Sequence, residues 1–223
     1  MISIIIPAYK ATKYIDECVS SIKGNVEHEI LIGVDGCEET YNHIKHLDNV
    51  FFFPKNMGPF VIKNTLADVS KYEKLLFFDS DDIMDVGALD RLAKVVNSVD
   101  YVKLNYINFN NNRSRIDLFA HKMNDAIIAI DKQVFNSLNG FYPWRCGADT
   151  EFTNRLAFNK MKSITPPDAF YYRRLHGENL TIKKETGHGS SIRNEYVNII
   201  NKNIRDNNWP NPQIKTIQEY VKD

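Results

Sequence analysis

Short apolar runs alternate with helical patterns along the first hundred residues, and this alternation constrains the fold more than any other feature. The run over residues 2–6 is apolar throughout, as expected for a strand that is buried on both faces. Strand patterns cover residues 2–6, 29–34, 50–53 and 74–78, and helical patterns cover residues 14–22, 60–70 and 85–98. Strand, helix and strand units of this length form right-handed crossovers. The sequence therefore predicts an α/β fold with a mostly parallel central sheet flanked by helices.

The second half of the sequence departs from this regular alternation. The patterns are strands over residues 101–109, 125–130 and 169–172, and helices after Asp149 and over residues 192–204 and 212–221. A polar tract over residues 108–115 predicts an exposed loop. Neither an internal repeat nor a linker interrupts the chain, so we expect a single domain over residues 1–223.

The composition excludes several classes of protein. Hydrophobic residues make up 43% and charged residues 25% of the chain, which excludes intrinsic disorder. Basic and acidic residues number 28 each, and the resulting net charge of zero gives no support to a nucleic-acid groove. No apolar stretch reaches the ~18 residues that span a bilayer, and the apolar start is too short for a signal peptide. Three cysteines without metal spacing suit a reducing compartment, so we expect a soluble protein, cytoplasmic or peripheral to a membrane.

Polar side chains follow the predicted parallel strands at the edge where such sheets bind ligands. Tyr9 follows the first strand, Asp35 ends the second, and the acid loop, Asp79-Ser80-Asp81-Asp82, follows the fourth. Ligand sites lie beyond the carboxyl ends of parallel strands. We therefore expect these residues to share one crevice.

The acid loop has two interpretations. Three carboxylates within four positions repel one another, and oxygen-rich sites of this kind suit Mg²⁺ or Mn²⁺ that share a phosphate-bearing substrate. The alternative is a solvated loop in which Asp82 or Asp85 caps the following helix. The position of the loop directly after an apolar strand favours the metal-binding crevice.

Six parts of the sequence, taken in order, resemble the motifs of the family 2 glycosyltransferases, which have the Rossmann-like GT-A fold. They are residues 3–10, 29–36, 56–58 with 63–64, 78–82, 147–152 with Arg155, and 172–181. Residues 78–82 are similar to the Leu-Asp-Ser-Asp-Asp form of the DXD motif. Departures from the family pattern include Ala8, Val34 and Ala148, where the family has Thr, Asp and Glu.

The resemblance implies a role for each matching residue. The residues that it assigns to the nucleotide sugar are Pro7, Ala8, Tyr9, Asp35, Lys63, Asn64, Asp79, Ser80 and Asp81. It assigns Asp81, Asp82 and His176 to Mn²⁺ or Mg²⁺, which would neutralise charge on the leaving diphosphate. It also implies inversion at the anomeric carbon, with Asp149 as the general base for the acceptor hydroxyl group. For Lys63, a solvated lysine on a helix face is the alternative.

The residues expected on the acceptor side have open alternatives as well. Trp144 is either an apolar platform for an acceptor sugar or a core residue. Glu151 either orients the acceptor or caps the helix that begins near Asp149, and we expect Arg155 to pair with a nearby carboxylate. The resemblance divides the domain into a nucleotide-sugar half, an acceptor half with the catalytic residue, and C-terminal helices, at residues 1–100, 101–190 and 191–223.

The resemblance favours a UDP-sugar as the donor and a glycan or lipid-linked saccharide as the acceptor, with a protein or a modified nucleobase as alternatives. A sugar-phosphate nucleotidyltransferase is a competing interpretation, but it needs a Gly-rich loop after the first strand, and residues 7–10 contain no glycine. The second competing interpretation is a catalytically degenerate module that binds nucleotide or glycan without turnover. The transferase interpretation requires the acid loop and Asp149 to face a common cleft.

Overall fold

The computed structural model describes residues 1–110, 114–116 and 125–213, which form two sheets with helices packed around them. The strands in chain order are β1 (Ile2–Ala8), β2 (His28–Asp35), β3 (Val50–Phe53), β4 (Lys74–Phe77), β5 (Ile83–Met84), β6 (Tyr101–Lys103), β7 (Asn105–Asn110), β8 (Ile128–Asp131), β9 (Ser163–Ile164) and β10 (Ala169–Leu175). The helices are α1 (Ile15–Ser21), α2 (Glu38–Ile44), α3 (Pro59–Val69), α4 (Ala88–Val95), α5 (Lys132–Ser137), α6 (Ala148–Phe158) and α7 (Ser191–Asp206).

The larger sheet is mostly parallel and has the strand order β3-β2-β1-β4-β8-β6-β9. β1 pairs in parallel with β2 and β4, and β3 pairs in parallel with β2. β8 is antiparallel to both of its neighbours, β4 and β6. The predicted α/β fold with a mostly parallel central sheet is therefore confirmed.

β1 is covered by helices on both faces of the larger sheet. Ile4 and Ile6 pack into one apolar layer with residues of α1 and α4, whereas Ile5 packs into the opposite layer with residues of α3 and α6. All three side chains are fully buried. This two-sided burial explains why the strand is a continuous apolar run instead of an alternating one.

The strand predicted over residues 101–109 divides at Leu104 into β6 and β7, which belong to different sheets. β6 pairs with β8 and β9, whereas β7 pairs with β10. The sequence does not reveal the break at Leu104, because the residues of β6 and β7 are buried or half-buried on both sides of it. Of the predicted loop over residues 108–115, the first three residues belong to β7, and residues 111–113 lie outside the described residues.

The helices agree with the sequence most closely in α3, which begins and ends one residue before the predicted bounds. The N-cap residue of α1 is Tyr14, which forms no side-chain cap hydrogen bond. The sequence patterns did not predict α2, and the helix predicted over residues 212–221 lies mostly outside the described residues. Within the described ranges, no helix has both the length and the apolar character to cross a membrane.

The smaller sheet, in the order β5-β10-β7, brings a late part of the chain to the acid loop. β5 follows the acid loop directly and pairs antiparallel with β10, where Tyr172 lies opposite Ile83. β10 ends at Leu175, one residue before His176. This pairing places His176 beside the acid loop, although 95 positions separate it from Asp81.

Candidate active site

The parallel strands deliver the predicted donor residues to one edge of the larger sheet. Ala8 at the end of β1 lies in register with Val34 near the end of β2. Pro7 and Ala8 are buried, and Tyr9, the next residue, is 43% exposed. Ser80, in the loop after β4, is half-buried. An exposed aromatic ring beside buried backbone is a surface on which a flat ring can stack.

Asp35 uses its carboxylate to hold the loop between β3 and α3. Its two oxygens accept hydrogen bonds from the backbone N–H of Met57 at 2.6 Å and of Gly58 at 2.9 Å. Gly58 has a φ of +96°, a conformation that favours glycine. Burial raises the pKa of Asp35, and the two backbone hydrogen bonds oppose the rise. A nucleobase at Asp35 would share the carboxylate with both amides.

The carboxylates of the acid loop have different partners. Asp82 is 4% exposed and accepts from the backbone N–H of Arg174 at 2.9 Å. Burial, followed by the negative charges of Asp81 and Asp79, raises the pKa of Asp82 well above its usual value. Asp79 accepts from Lys63 Nζ at 3.0 Å. The loop is not a solvated helix cap, because Gly87 is the N-cap residue of α4.

His176 and Asn179 close over Asp81 from the turn after β10. His176 Nε2 lies 2.8 Å from Asp81 Oδ2, and Asn179 Nδ2 donates to the same oxygen at 3.2 Å. The backbone N–H of Glu178 donates to His176 Nδ1 at 3.2 Å. The neutral imidazole therefore carries its proton on Nε2 and donates it to Asp81. The ring of Tyr14 packs on the imidazole at a centroid distance of 4.9 Å.

Asp81 and His176 are the side chains best suited to Mn²⁺ or Mg²⁺. In the described part of the chain, no three His, Cys, Asp or Glu residues converge as a metal site. Such ions take carboxylate ligands, Mn²⁺ also takes imidazole, and they fill their remaining positions with water and substrate phosphates. The pair therefore fits an ion that binds together with a diphosphate. Asp82, predicted as a third ligand, is instead buried against the Arg174 backbone.

Lys63 connects the acid loop to Asp149. It is 2% exposed, so the alternative interpretation as a solvated lysine is wrong. Its Nζ donates to Asp79 Oδ1 at 3.0 Å and lies 5.6 Å from the ring centre of Phe60. The positive charge of Lys63 lowers the pKa of Asp149, whereas the negative charge of Asp79 raises it. The charges of Asp79 and Lys63 thus both act on the carboxylate of Asp149.

Asp149 lies in the first turn of α6 and is half-buried. Gly147, with a φ of +78°, is the N-cap residue, so Asp149 is free of a capping role at that position. Burial is the largest influence on its pKa and raises it, and the charge of Asp125 adds to the rise. A hydrogen bond from the backbone N–H of Thr150 lowers it. A carboxylate with a raised pKa is suited to accept a proton near neutral pH.

Asn64 has a structural role that the sequence analysis did not predict. Its Nδ2 donates to the carbonyl oxygen of Phe141 at 2.8 Å, and its Oδ1 accepts from the backbone N–H of Phe141 at 2.9 Å. Both polar groups are buried, so Asn64 fastens α3 to the loop before α6 instead of contacting a donor.

Trp144 and Glu151 also pack in the interior instead of facing an acceptor. The ring of Trp144 stacks on Tyr142 at 5.0 Å and on Tyr196 at 4.4 Å, which supports the core-residue interpretation. Glu151 is 0% exposed, and its two carboxylate oxygens accept from Arg155 at 2.9 Å each. The expected pairing of Arg155 is confirmed, and the acceptor contact of Glu151 is wrong because its carboxylate is fully enclosed.

Two residues of the site escaped sequence reasoning, namely Arg174 and Asn179. Arg174 contacts the acid loop through both its backbone and its guanidinium group. Asn179 Oδ1 accepts from the backbone N–H of His176 at 2.7 Å. An Asn three positions after His176 is a local turn signal that would have identified Asn179. No local signal distinguishes Arg174 from its neighbour Arg173.

The chain is similar to proteins of known family and structure. Residues 3–198 match the profile of Glycosyl transferase family 2. The crystal structure of S. aureus TarS 1–349 in complex with UDP has 20% sequence identity and a TM-score of 0.63, over 79% of this chain and 61% of that chain. The TarS 1–349 complex with UDP-GlcNAc has the same identity and TM-score, over 80% of this chain and 59% of that chain.

A mannosyltransferase with lower sequence identity to this chain than TarS has a slightly higher TM-score. The mannosyltransferase PcManGT from Pyrobaculum calidifontis, in complex with GDP-Man and Mn²⁺, has 17% identity and a TM-score of 0.66, over 94% of this chain and 65% of that chain. These likenesses confirm the expected GT-A fold. The chain spans 61% of the length of TarS 1–349. No curated protein matches the sequence.

Proposed function

Because this chain belongs to glycosyl transferase family 2, we propose that it transfers a sugar from a nucleoside-diphosphate sugar to an acceptor hydroxyl group. The observation that carries the proposal is the hydrogen bond from Lys63 to Asp79 of the acid loop, since the charges of both residues also influence the candidate base Asp149. A UDP-sugar is the favoured donor, since TarS is described with UDP and UDP-GlcNAc. GDP-mannose, which PcManGT is described with, is the alternative.

In this proposal, residues 1–100 hold the donor at the carboxyl ends of β1, β2 and β4. Tyr9 stacks on the nucleobase beside the backbone of Pro7 and Ala8, because its ring is exposed at the end of β1. Asp35 borders the base and keeps residues 57 and 58 in place. The residues that we assign to the ribose and the diphosphate are Asp79, Ser80 and Asp81, and the buried Lys63 holds Asp79 in place.

Mn²⁺ or Mg²⁺ would bind at Asp81 and His176, and when bound it neutralises charge on the departing diphosphate. For His176 Nε2 to hold the ion, the imidazole would carry its proton on Nδ1, and the backbone N–H of Glu178 would give up its hydrogen bond to that atom. Asn179 keeps the two side chains together through hydrogen bonds to Asp81 and to the His176 backbone. Lys63 provides a fixed positive charge beside Asp79 whether or not an ion is present.

Asp149 is the general base in this proposal. It accepts the proton of the acceptor hydroxyl group while that oxygen bonds to the anomeric carbon, the bond from this carbon to the diphosphate breaks, and the configuration inverts. The burial that raises its pKa makes the carboxylate a stronger base than an exposed aspartate. The acceptor approaches from residues 101–190, and we propose a glycan or a lipid-linked saccharide.

The test combines donor binding with the turnover of two matched variants. In the presence of Mn²⁺, a nucleotide sugar at 100 times its Kd should stabilise the wild type by about 2.7 kcal/mol, measured as a rise in Tm. Asp149→Asn should keep this stabilisation and lose about 10²–10⁴-fold in transfer rate. Asp48→Asn should change neither the stabilisation by the donor nor the transfer rate. Asp48 is exposed and precedes β3, so it lies at the amino ends of the parallel strands, away from the acid loop.

The products separate the alternatives. Release of UDP with a glycosylated acceptor supports the transferase, whereas release of pyrophosphate from UTP and a sugar 1-phosphate, supplied in a separate assay, would identify a nucleotidyltransferase. A wild type that binds the donor and neither transfers nor hydrolyses it would be a degenerate binding module. Undiminished transfer by Asp149→Asn would refute the assignment of the base.

A further inference from the structure

Arg174 is a buried arginine on β10 with contacts to helix α1 and to the acid loop. It is 3% exposed, and its guanidinium group lies between two aromatic rings. The ring centre of Tyr14 is 4.6 Å and that of Phe109 is 4.5 Å from its Cζ. A buried charge is costly unless it is paired and hydrogen-bonded. The partners of this guanidinium group therefore indicate what holds it in the interior.

Glu17, in the first turn of α1, is the carboxylate that pairs with Arg174. Nη2 of Arg174 donates to Glu17 Oε2 at 2.6 Å, a short, charge-assisted hydrogen bond. The Glu17 side chain is half-buried, whereas that of Arg174 is almost fully enclosed. The pair ties α1 to β10 on one side of the acid loop.

Three further polar atoms of Arg174 hold the acid loop, either directly or through Asn179. Its Nε donates to the carbonyl oxygen of Asp81 at 2.9 Å, and its backbone N–H donates to Asp82 Oδ1 at 2.9 Å. Its own carbonyl oxygen accepts from Asn179 Nδ2 at 3.1 Å, and the same amide group donates to Asp81 Oδ2. One residue therefore fixes the backbone of Asp81 and, through Asn179, the carboxylate that it presents.

We propose that Arg174, held by Glu17, is a positioning residue that orients Asp81 towards the metal ion and the donor diphosphate. The inference rests on the proposed function, since it concerns the same site. Arg174 acts through the carbonyl group of Asp81 and not by touching the donor, because its guanidinium group is enclosed. Partners that orient a metal ligand in this way commonly change metal affinity about 10- to 100-fold when they are replaced.

The experiment measures the Kd of Mn²⁺ in the presence of UDP by isothermal titration calorimetry, without turnover. Arg174→Met keeps the apolar stem between the two rings and removes the hydrogen bonds to Asp81 and Glu17, so the Kd should rise about 10- to 100-fold. Arg174→Lys keeps the charge, but lysine has no planar fork to reach both Asp81 and Glu17. The Kd of Mn²⁺ for this variant should therefore lie between that of the wild type and that of Arg174→Met. Glu17→Gln should raise the Kd by less than Arg174→Met.

Arg91 on α4 offers a matched control. Its Nη2 donates to Asp85 at 2.7 Å and to the carbonyl oxygen of Ala169 at 3.0 Å, and its Cζ lies 5.2 Å from the ring centre of Phe170. These contacts are of the same kinds as those of Arg174, but they lie at the opposite end of β10. Arg91→Met should lower Tm and leave the Kd of Mn²⁺ with UDP unchanged.

The outcomes distinguish this inference from the function on which it rests. A wild type that binds no Mn²⁺ with UDP overturns both proposals. A wild type that binds, together with Arg174→Met and Glu17→Gln variants of unchanged affinity, overturns the positioning role alone. If Arg174→Met does not fold, the affinities of Arg174→Lys and Glu17→Gln test the positioning role. Both variants should fold, because Arg174→Lys keeps the charge and Glu17→Gln changes a partly exposed side chain. An equal loss of affinity in Arg91→Met would also overturn the inference, since the effect would then be general destabilisation.

Discussion

At the scale of single residues, the carboxylate of Asp149 is influenced by charges of both signs. Lys63 lowers its pKa, and Asp125 and Asp79 raise it, in addition to the larger effect of burial. The carboxylate acts as a base only when it is ionised, so the acid limb of the pH profile of kcat/KM follows this pKa. The charge of Lys63 and that of Asp125 can each be removed by one substitution, and the two substitutions should shift the pKa of Asp149 in opposite directions.

Lys63→Met should shift the acid limb of the kcat/KM profile to higher pH. The substitution removes the cation that favours the ionised form of Asp149, so the pKa of this carboxyl group rises and activity below neutral pH falls further than activity above it. Steady-state kinetics from pH 5 to 9, read as the midpoint of the acid limb, measures the shift.

Asp125→Asn should shift the same limb to lower pH, because it removes an anion that disfavours ionisation of Asp149. Asp125 is half-exposed and pairs with Lys103 at 3.0 Å, so the variant should fold. Shifts of the same sign in the two variants would show that Asp149 is not the titrating base.

At the scale of elements, the Glu151–Arg155 pair joins α6 to the loop that precedes it. Besides Glu151, the guanidinium group of Arg155 donates to the carbonyl oxygens of Leu138 and Gly140. All of these contacts are buried. The pair therefore fixes the start of α6, where Asp149 lies, although neither residue faces the acid loop.

Glu151→Ala should lower the free energy of unfolding by about 3–5 kcal/mol, because it leaves the Arg155 charge buried without a carboxylate. Urea denaturation of the purified variant measures the loss. The double variant Glu151→Leu with Arg155→Met should lose less than Glu151→Ala, since no unpaired charge remains. An equal or larger loss in the double variant would show that the contacts to Leu138 and Gly140 dominate.

Gly140→Ala should destabilise the protein more than Gly147→Ala. Both glycines have positive φ, of +60° and +78°, so both substitutions are strained. A Cβ at Gly140 would lie 2.6 Å from Asn64 Oδ1, whereas a Cβ at Gly147 has no atom within 4 Å. The Cβ at Gly140 would also lie 2.8 Å from Phe135 Cζ, so thermal unfolding of the two variants measures the combined cost of these close contacts. Equal losses would mean that backbone strain alone matters.

The elements that the sequence predicted well are those whose pattern is local. β3 matches its prediction, and α3 differs by one residue at each end, because Pro54 directly follows β3 and Gly58 with Pro59 marks the start of α3. The roles of Asn64, Trp144 and Glu151 depended on partners elsewhere. Phe141 lies 77 positions from Asn64, and no periodicity encodes that distance. The sequence also predicted that the acid loop follows β4 and that a helix begins near Asp149, because both positions are set by the local pattern.

At the scale of the whole molecule, the larger sheet combines strands from both halves of the chain. β4, which ends at the acid loop, is flanked on one side by β1 and on the other by β8. Lys74 of β4 also pairs with Asp131 of β8 at 2.8 Å. The donor half of residues 1–100 contains β4 without this second neighbour.

A fragment of residues 1–100 should aggregate even though it contains every residue that we assign to the donor. Without β8, the backbone groups of β4 form an unprotected edge, and the fully buried side chains of Leu75, Leu76 and Phe77 lose part of their cover. A fragment of residues 1–137, which includes β8 and α5, should remain more soluble in centrifugation and light-scattering assays. Equal solubility of the two fragments would contradict the proposal that β8 protects the edge of β4.

The antiparallel insertion of β8 also bears on how the protein is made. A nascent chain emerges from the ribosome with β1 to β4 complete, yet their outer edge has no partner until roughly fifty further residues have been synthesised, several seconds later at about 5–20 residues per second. During that interval β4, the strand that the acid loop follows, is open to intermolecular pairing. Slow translation or chaperone shortage should therefore reduce the yield of this protein before any effect on its chemistry is seen.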